Sequence, residues 1–283
     1  MKNYIINTLA YNEQVRILFI DNTDIVKEIC KDKNMNKLLK TALSRTVSIA
    51  SLISRNLKGK ERISLTVNPS DRKYKIFADA DSLGNVRGYI NDELLNADLN
   101  ELSIEQLMGT EGYIQVEKDI GMSNLFTGVT EMKYGNIVDD FSYYFKQSEQ
   151  TSSLFSLNIV FDENAEVILS RGIFAELLPG APINLIDNIN KIITDNTLLL
   201  YTLDNDKEFK DIPNLLFKDI KILGIDQIQF FCKCSKDFFM GMLKSLDKEE
   251  LTDAYENDKP IEIVCNRCGK KIEFCKDYIK KFI

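Results

Sequence analysis

The sequence predicts an α+β protein with a small cysteine-bearing unit at its C-terminal end. Three observations support this: short apolar runs bounded by turn residues, amphipathic helix patterns between them, and two tight cysteine pairs after residue 230. The chain has 283 residues, which is enough for one large domain and one small domain. We therefore expect an N-terminal α/β core with an antiparallel sheet, a helical linker and a small C-terminal domain.

The predicted core occupies residues 1–178 and opens with a strand, QVRILFI, that is followed by helices. Within residues 35–58, apolar side chains recur at three- and four-residue steps, as at Leu39, Leu43 and Val47. This spacing is typical of an amphipathic helix. The small residues between these positions would allow the helix to pack closely against its neighbours.

Strands are predicted where apolar runs lie beside Gly, Asn, Pro or Asp residues. These runs are RISLTV, KYKIFADA, GNVRGYI, GYIQVEKDI, LFTGVTEM and the two halves of SLFSLNIVFDENAEVILSRGIF. Residues 136–150 predict a further helix with Ile137, Phe141 and Tyr144 on one face. Strands mixed with helices in this order favour an α+β core.

Residues 179–228 form the predicted linker, which begins at a cluster of Pro and Gly and is rich in Ile and Leu. One helical stripe contains Leu185, Ile189, Ile192 and Ile193. Two interpretations are open at this point. The stripe belongs either to ordinary core helices or to a metastable hinge segment that docks its apolar face on the core and can be released.

Residues 229–283 are predicted to form a separate unit of helices and one hairpin. A helix is predicted after Ser235, and another begins at Asp247 with Glu250 three residues later, the spacing of a capping box. The runs IEIVC and KIEF predict two strands around the turn NRCGKK, and KDYIKKF predicts a closing helix. Because a unit of this size buries little apolar surface, we expect a metal or a covalent staple.

Four cysteines in this unit have the spacing of metal ligands. They form one C-x-C pair and one C-x-x-C pair, namely Cys232, Cys234, Cys265 and Cys268. Four thiolates favour tetrahedral Zn²⁺ and leave no position open for a catalytic water. The residues thus predict one four-cysteine zinc site in a small C-terminal zinc-binding domain. Permanent disulfides, a purely structural site and a redox-active site all remain open on spacing alone.

Composition narrows the classes of function. The net charge of −7 argues against a nucleic-acid-binding surface, and the absence of histidine excludes Ser–His–Asp and Cys–His nucleophilic sites. No P-loop sequence occurs. The chain shows no signal-peptide pattern and no run of 18 apolar residues, so we expect a cytoplasmic protein without a membrane span. We do not expect an enzyme.

The cysteine pattern, together with GNVRGYI, VEKDIG, DDFSYYFKQSEQ and LLPGA, resembles the redox-regulated 33 kDa heat-shock chaperonin family. The resemblance implies an ATP-independent holdase that is inactive when reduced and loaded with zinc. Oxidation would form the disulfides Cys232–Cys234 and Cys265–Cys268, release zinc, and unfold the C-terminal unit and the linker. Newly exposed apolar surface would then bind unfolding client proteins, with a homodimer as the active form.

The resemblance also implies a role for each segment: client binding and dimerisation for residues 1–178, a metastable linker for 179–228 and a redox switch for 229–283. One departure from the family lies at Glu176, where Gln is usual. The rival hypothesis is a structural zinc-ribbon protein that binds nucleic acid or a protein partner and has no redox switch.

Overall fold

The computed structural model divides the chain into two compact units, Met1–Phe230 and Phe231–Ile283. The structure describes residues 3–32, 34–121, 125–201, 208–243 and 245–283. Each unit has its own strands and its own apolar core.

The first unit contains eleven strands among its described residues, which form two sheets. The strands are β1 (Asn3–Ala10), β2 (Val15–Asn22), β3 (Arg62–Asn68), β4 (Ile76–Asp81), β5 (Asn85–Ile90), β6 (Tyr113–Asp119), β7 (Leu125–Glu131), β8 (Ser153–Phe161), β9 (Val167–Leu177), β10 (Lys221–Gln227) and β11 (Gln229–Phe230). One sheet has the order β10-β1-β2-β9-β8, and the other β11-β5-β4-β3-β6-β7. All pairs are antiparallel except β11–β5, which is parallel.

Helices lie between the sheets and on the outer face of the five-stranded sheet. They are α1 (Thr23–Ile29), α2 (Lys37–Ile53), α3 (Asp92–Leu95), α4 (Ile104–Met108), α5 (Ile137–Ser148), α6 (Asn184–Asp195), α7 (Thr197–Tyr201) and α8 (Ile212–Leu216). Short 3-10 helices cover Ser54–Asn56 and Phe209–Asp211.

The long helix α2 is the centre of the main core. Its buried Leu43 and Val47 belong to one apolar cluster with Ile20 of the five-stranded sheet and Ile63 of the six-stranded sheet. At Gly88 of β5 an added Cβ would lie 2.6 Å from Val47 Cγ2, so glycine is needed for this close helix–sheet contact. The two sheets therefore share α2 as the packing layer between them.

A second apolar cluster covers the opposite face of the five-stranded sheet. On the sheet side it includes Ile6, Phe19 and Ile173, and on the other side Ile189 of α6 and Phe217 after α8. The stripe predicted for α6 is thus the side that packs on the sheet, with Ile189 and Ile193 buried. The segment after residue 178 consequently forms an extra layer on the sheet.

Among its described residues, the second unit contains three helices and a hairpin: α9 (Lys236–Leu243), α10 (Lys248–Glu256), β12 (Ile261–Val264), β13 (Lys271–Phe274) and α11 (Lys276–Ile279). Its largest buried cluster has only five members, Phe239, Leu243, Cys265, Ile272 and Phe274. A core of this size supplies little hydrophobic stabilisation.

The structure confirms the α+β class, the antiparallel sheets and the predicted hairpin of the C-terminal unit. The predicted helix of residues 35–58 is shorter, ending as an α-helix at Ile53. Asp247 is the residue before α10, yet its side chain makes no capping hydrogen bond, so the capping box predicted there is wrong. A capping box that was not predicted joins Ser103 and Gln106 at α4.

The sequence pattern does not predict β1 or β10. In β1 polar residues such as Asn7 interrupt the apolar run, and the linker composition favours helix where Lys221–Gln227 in fact pairs with β1.

Residues 202–207 of the predicted linker lie outside the described residues. The three functional segments 1–178, 179–228 and 229–283 stay a prediction. Within the described ranges, no helix has the length and apolar composition needed to cross a membrane.

Glu176 of β9 is a carboxylate in a poorly hydrated position. It is 8% exposed, and its Oε1 accepts a hydrogen bond from Arg16 at 2.8 Å. Burial raises the pKa of Glu176 above its ordinary value, although the nearby Arg16 guanidinium acts to lower it. A folded-state pKa above the unfolded value means that the charged carboxylate costs stability. The contribution of Glu176 to the free energy of unfolding is therefore most favourable below its unfolded-state pKa. It is lost as pH rises through its folded-state pKa.

We therefore expect Glu176→Gln to raise the free energy of unfolding of the reduced protein at pH 7, because an amide avoids the desolvation cost of the charge. The gain should shrink as pH falls through the raised pKa of Glu176, because the wild-type side chain then becomes protonated itself. Urea unfolding at several pH values measures both effects. Glu163→Gln, at an exposed turn, is the control and should show neither effect. A gain that persists in acid would refute the electrostatic explanation.

Candidate metal centre

The four paired cysteines lie on two loops of the C-terminal unit. Cys232 and Cys234 precede α9, whereas Cys265 and Cys268 lie in the turn between β12 and β13. This turn is closed by hydrogen bonds from Gly269 N to Cys265 O and from Cys265 N to Lys270 O, both 2.9 Å. Gly269 adopts φ +69°, a left-handed conformation that favours glycine and explains the C-x-x-C-G sequence.

The tertiary structure brings the four sulfur atoms together. All four Sγ atoms lie within 4.8 Å of one another. Between the two loops, Cys234 Sγ lies 3.4 Å from Cys268 Sγ, and Cys232 Sγ lies 3.8 Å from Cys265 Sγ. A tetrahedron with Zn–S bonds of ~2.3 Å has sulfur–sulfur edges of ~3.8 Å. The cluster therefore has the size and donor set of a zinc site with four cysteine ligands.

Backbone groups and burial act on the thiols in different ways. Burial acts to raise the pKa of Cys265, but N–H groups of Arg267 and Cys268 donate to its sulfur, and the net effect lowers the pKa. Burial, with neighbouring thiols, raises the pKa of Cys234 to about 11 and also raises the pKa of Cys268. Thiolates this close repel one another, so four of them can ionise together only around a cation.

The sulfur cluster is continuous with the small apolar core of its unit. Cys265 is buried in that core, and the other three cysteines pack against it half-buried. Two basic residues near the cluster have other partners: Lys236 lies over the Tyr278 ring at 3.8 Å, and Lys271 pairs with Glu262 at 3.6 Å. A metal at this position would therefore be bound in part by Cys265, a side chain that also belongs to the core.

The remaining two cysteines lie outside the cluster. Cys30 follows α1 and is 2% exposed in the main core, and burial raises the pKa of its thiol to about 11. Cys275 precedes α11 and is exposed. Its exposure makes Cys275 a suitable control position for experiments on the other four.

Ser148, Glu149 and Gln150 lie at the C-terminal end of α5 and directly after it. In the structure Glu149 accepts hydrogen bonds from Lys118 Nζ at 2.6 Å and from Tyr144 Oη at 3.1 Å. These contacts join the end of α5 to β6. No pattern in the sequence pairs residues 31 positions apart, which is why the network could not be predicted.

Comparisons with known proteins place these features in a family. The family model described as Hsp33 protein matches residues 3–275. The 33 kDa chaperonin of Shouchella clausii is 31% identical over 288 residues, with 100% of this chain and 98% of that protein covered. The 33 kDa chaperonin of Clostridium beijerinckii is 31% identical, with 100% and 99% covered.

A solved structure shows the same fold. The crystal structure of the 33 kDa chaperonin of Thermotoga maritima superposes with a TM-score of 0.81 at 23% identity, and the match covers 100% of this chain and 98% of that one. The family model spans nearly the whole chain and the curated relatives match it from end to end. On this evidence the chain belongs to the Hsp33 family.

Proposed function

We propose that this protein is a redox-regulated holdase chaperone whose reduced, zinc-loaded form is inactive. The observation that carries the proposal is the convergence of four thiols from two loops within 4.8 Å, in a unit with a very small core. Family membership supports binding of unfolded client proteins as the activity. By analogy with the family, the active form would be a cytoplasmic homodimer.

Zinc is the metal that fits the donor set best. Cys232, Cys234, Cys265 and Cys268 would hold it, and the sulfur-only set favours Zn²⁺ over the harder Mg²⁺ and Ca²⁺. When bound, zinc supplies folding free energy, roughly 10–16 kcal/mol in small zinc-binding peptides. A whole domain is typically stable by only about 5–15 kcal/mol. The folded state of residues 231–283 would therefore depend on the four thiolates remaining available as ligands.

Oxidation would remove those ligands. The resemblance to the family implies disulfides Cys232–Cys234 and Cys265–Cys268. In each, two thiolates give two electrons to an oxidant such as peroxide, which takes up protons and becomes water. The sulfurs that face each other across the two loops lie 3.4 Å and 3.8 Å apart, well beyond the ~2.05 Å of a disulfide bond. Each disulfide would replace two of the four thiolate ligands, which couples oxidation to loss of the metal and so to unfolding.

The layer of α6–α8 on the five-stranded sheet supplies the apolar surface. Release of these helices would uncover Ile6, Phe19 and Ile173, which are all at most 1% exposed in the folded state. The helices are held by polar contacts as well. Tyr201 Oη lies 2.7 Å from Ser156 Oγ, and Arg171 donates to Leu200 O at 3.5 Å.

The decisive test follows zinc content and suppression of aggregation of a denatured reporter enzyme, before and after treatment with peroxide and mild heat. We expect about one zinc per reduced chain, and oxidation should release it as activity appears. Cys265→Ser should lose zinc, whereas Cys275→Ser should behave like wild type. Retention of nucleic acid, or zinc retained without any gain of activity, would instead favour the zinc-ribbon alternative.

Metal removal under reducing conditions gives an independent prediction. A chelator should abolish the hydrogen-exchange protection of β12 and β13, because their unit then loses its main source of folding free energy. Amides of α2, at the centre of the first unit, should keep their protection. If the hairpin remained protected without metal, the proposed role of zinc would be wrong.

Tyr201→Phe should weaken docking of the linker helices. The variant removes two hydrogen bonds to Ser156, each worth about 1 kcal/mol at most, so opening of α7 should become about five- to thirtyfold more frequent. Hydrogen exchange of α7 amides in the reduced protein measures this directly. Tyr134→Phe, at a ring that is 52% exposed, serves as the control. Equal exchange in both variants would show that the Tyr201 contact does not hold the linker.

A further inference from the structure

The strand β10 occupies one edge of the five-stranded sheet and pairs only with β1 among the described strands. Its register runs from Tyr4 opposite Gln227 to Leu9 opposite Lys221. β10 follows the linker helices in the chain, whereas β1 lies between β10 and β2 in the sheet. The outer side of β1 is therefore covered by a strand from the segment that the proposed function releases.

β10 contributes little to the core. Its three large apolar side chains, Ile222, Leu223 and Ile225, are 42%, 50% and 44% exposed. A Cβ added at Gly224 would meet no atom within 4 Å. In contrast, Ile5 and Ile6 of β1 are fully buried. β10 is thus attached by its ladder of backbone hydrogen bonds to β1 and by two ion pairs, Arg55–Asp226 at 3.0 Å and Lys221–Glu13 at 2.6 Å.

That ladder is imperfect. The register shifts between Asn7 and Thr8, which marks a bulge or irregularity in the pairing. The Asn7 Oδ1 atom at this point is buried and has no hydrogen-bond partner among the described residues. Buried polar atoms without partners cost free energy, so this stretch of pairing is held less firmly than an uninterrupted ladder.

Contacts at both ends keep β10 in place. Before it, the buried Phe217 ring packs edge-on against Phe19, with ring centroids 6.4 Å apart. After it, Ile228 is buried in the main core and Gln229 pairs with β5. The Phe217 contact belongs to the layer of linker helices, so release of that layer would remove this contact from the start of β10.

Loss of β10 would leave β1 with a row of unpaired N–H and C=O groups. Such an edge accepts an added strand. Tyr4 and Ile6 belong to the cluster beneath the linker helices, so the same release would open an apolar face directly beside this edge. Asn3–Ala10 contains no charged residue, which favours an uncharged partner strand.

We propose that the edge of β1 vacated by β10 is a docking site for an extended segment of a client protein, which pairs with β1 as a replacement strand. This proposal rests on the proposed function and specifies how part of the client is held. β10 itself defines the chemistry of the occupant: Ile222 and Ile225 lie opposite Thr8 and Ile6. The preferred client segment is therefore extended, free of proline and apolar on the face shared with Ile6.

Peptide competition separates strand pairing from simple apolar contact. The probe is the peptide of residues 219–230, DIKILGIDQIQF, added to the oxidised full-length protein with guanidine-denatured lactate dehydrogenase as client. Two derivatives carry backbone N-methyl groups on alternate residues within 224–227, where the register with β1 is regular, in one phase or the other. Their side chains and number of methyl groups are matched, but only one phase blocks the edge that faces β1.

We expect the unmodified peptide and one derivative to displace the client, and the other derivative to be about tenfold weaker or worse, since losing more than one backbone hydrogen bond costs at least about 1.4 kcal/mol. The reduced protein, in which β10 is in place, should not bind the peptide. Equal competition by both derivatives, or no competition by the unmodified peptide, would overturn the proposal.

Hydrogen exchange of β1 provides a second measurement on the unmodified chain. Oxidation should speed exchange of β1 amides that face β10, and bound client should restore their protection. Client held without renewed protection of β1 would overturn this proposal and leave the chaperone function standing. An oxidised protein that fails to suppress aggregation would overturn both.

Discussion

The contact of four sulfur atoms from two loops is the constraint on which the rest of this structure depends. The C-terminal unit has a small core, and its buried Cys265 belongs both to that core and to the sulfur cluster. A ligand set of this kind stabilises a fold only while its thiolates are reduced, because a disulfide removes the charge and lone pairs that bind a metal. Stability of the unit and the redox state of the chain are thereby linked through the same atoms.

The first unit has an outer layer of helices that is separate from its central core. Its five-stranded sheet packs on α2 through one face and on α6–α8 through the other, so the outer layer can be lost while the central core stays intact. Tyr201 and Arg171 provide polar contacts that secure this layer. A protein built in this way can expose a large apolar face without unfolding the domain that presents it. This division of stability is what a holdase requires.

Release of the edge strand β10 would expose backbone hydrogen-bonding groups of β1 in addition to apolar side chains. β10 is attached through backbone hydrogen bonds to β1 and two ion pairs, and its own apolar residues remain half exposed. An apolar face binds many sequences with little selectivity, whereas a strand edge selects extended conformation. Together they would favour unfolded chains over folded proteins, since folded proteins seldom offer an unpaired strand.

Local patterns predict much of this protein correctly, whereas the tertiary structure decides what depends on distant partners. The stripe of Leu39, Leu43 and Val47 follows a periodicity of near neighbours, and the C-x-x-C turn ends in a glycine with positive φ. The pairing of β1 with β10, by contrast, joins residues more than 200 positions apart, and neither strand has a pattern strong enough to predict it. Side-chain periodicity records which face of an element is apolar, but it does not record which other element covers that face. For that reason the spacing of the cysteines predicts the metal site, whereas only the fold shows the surface that the switch would uncover.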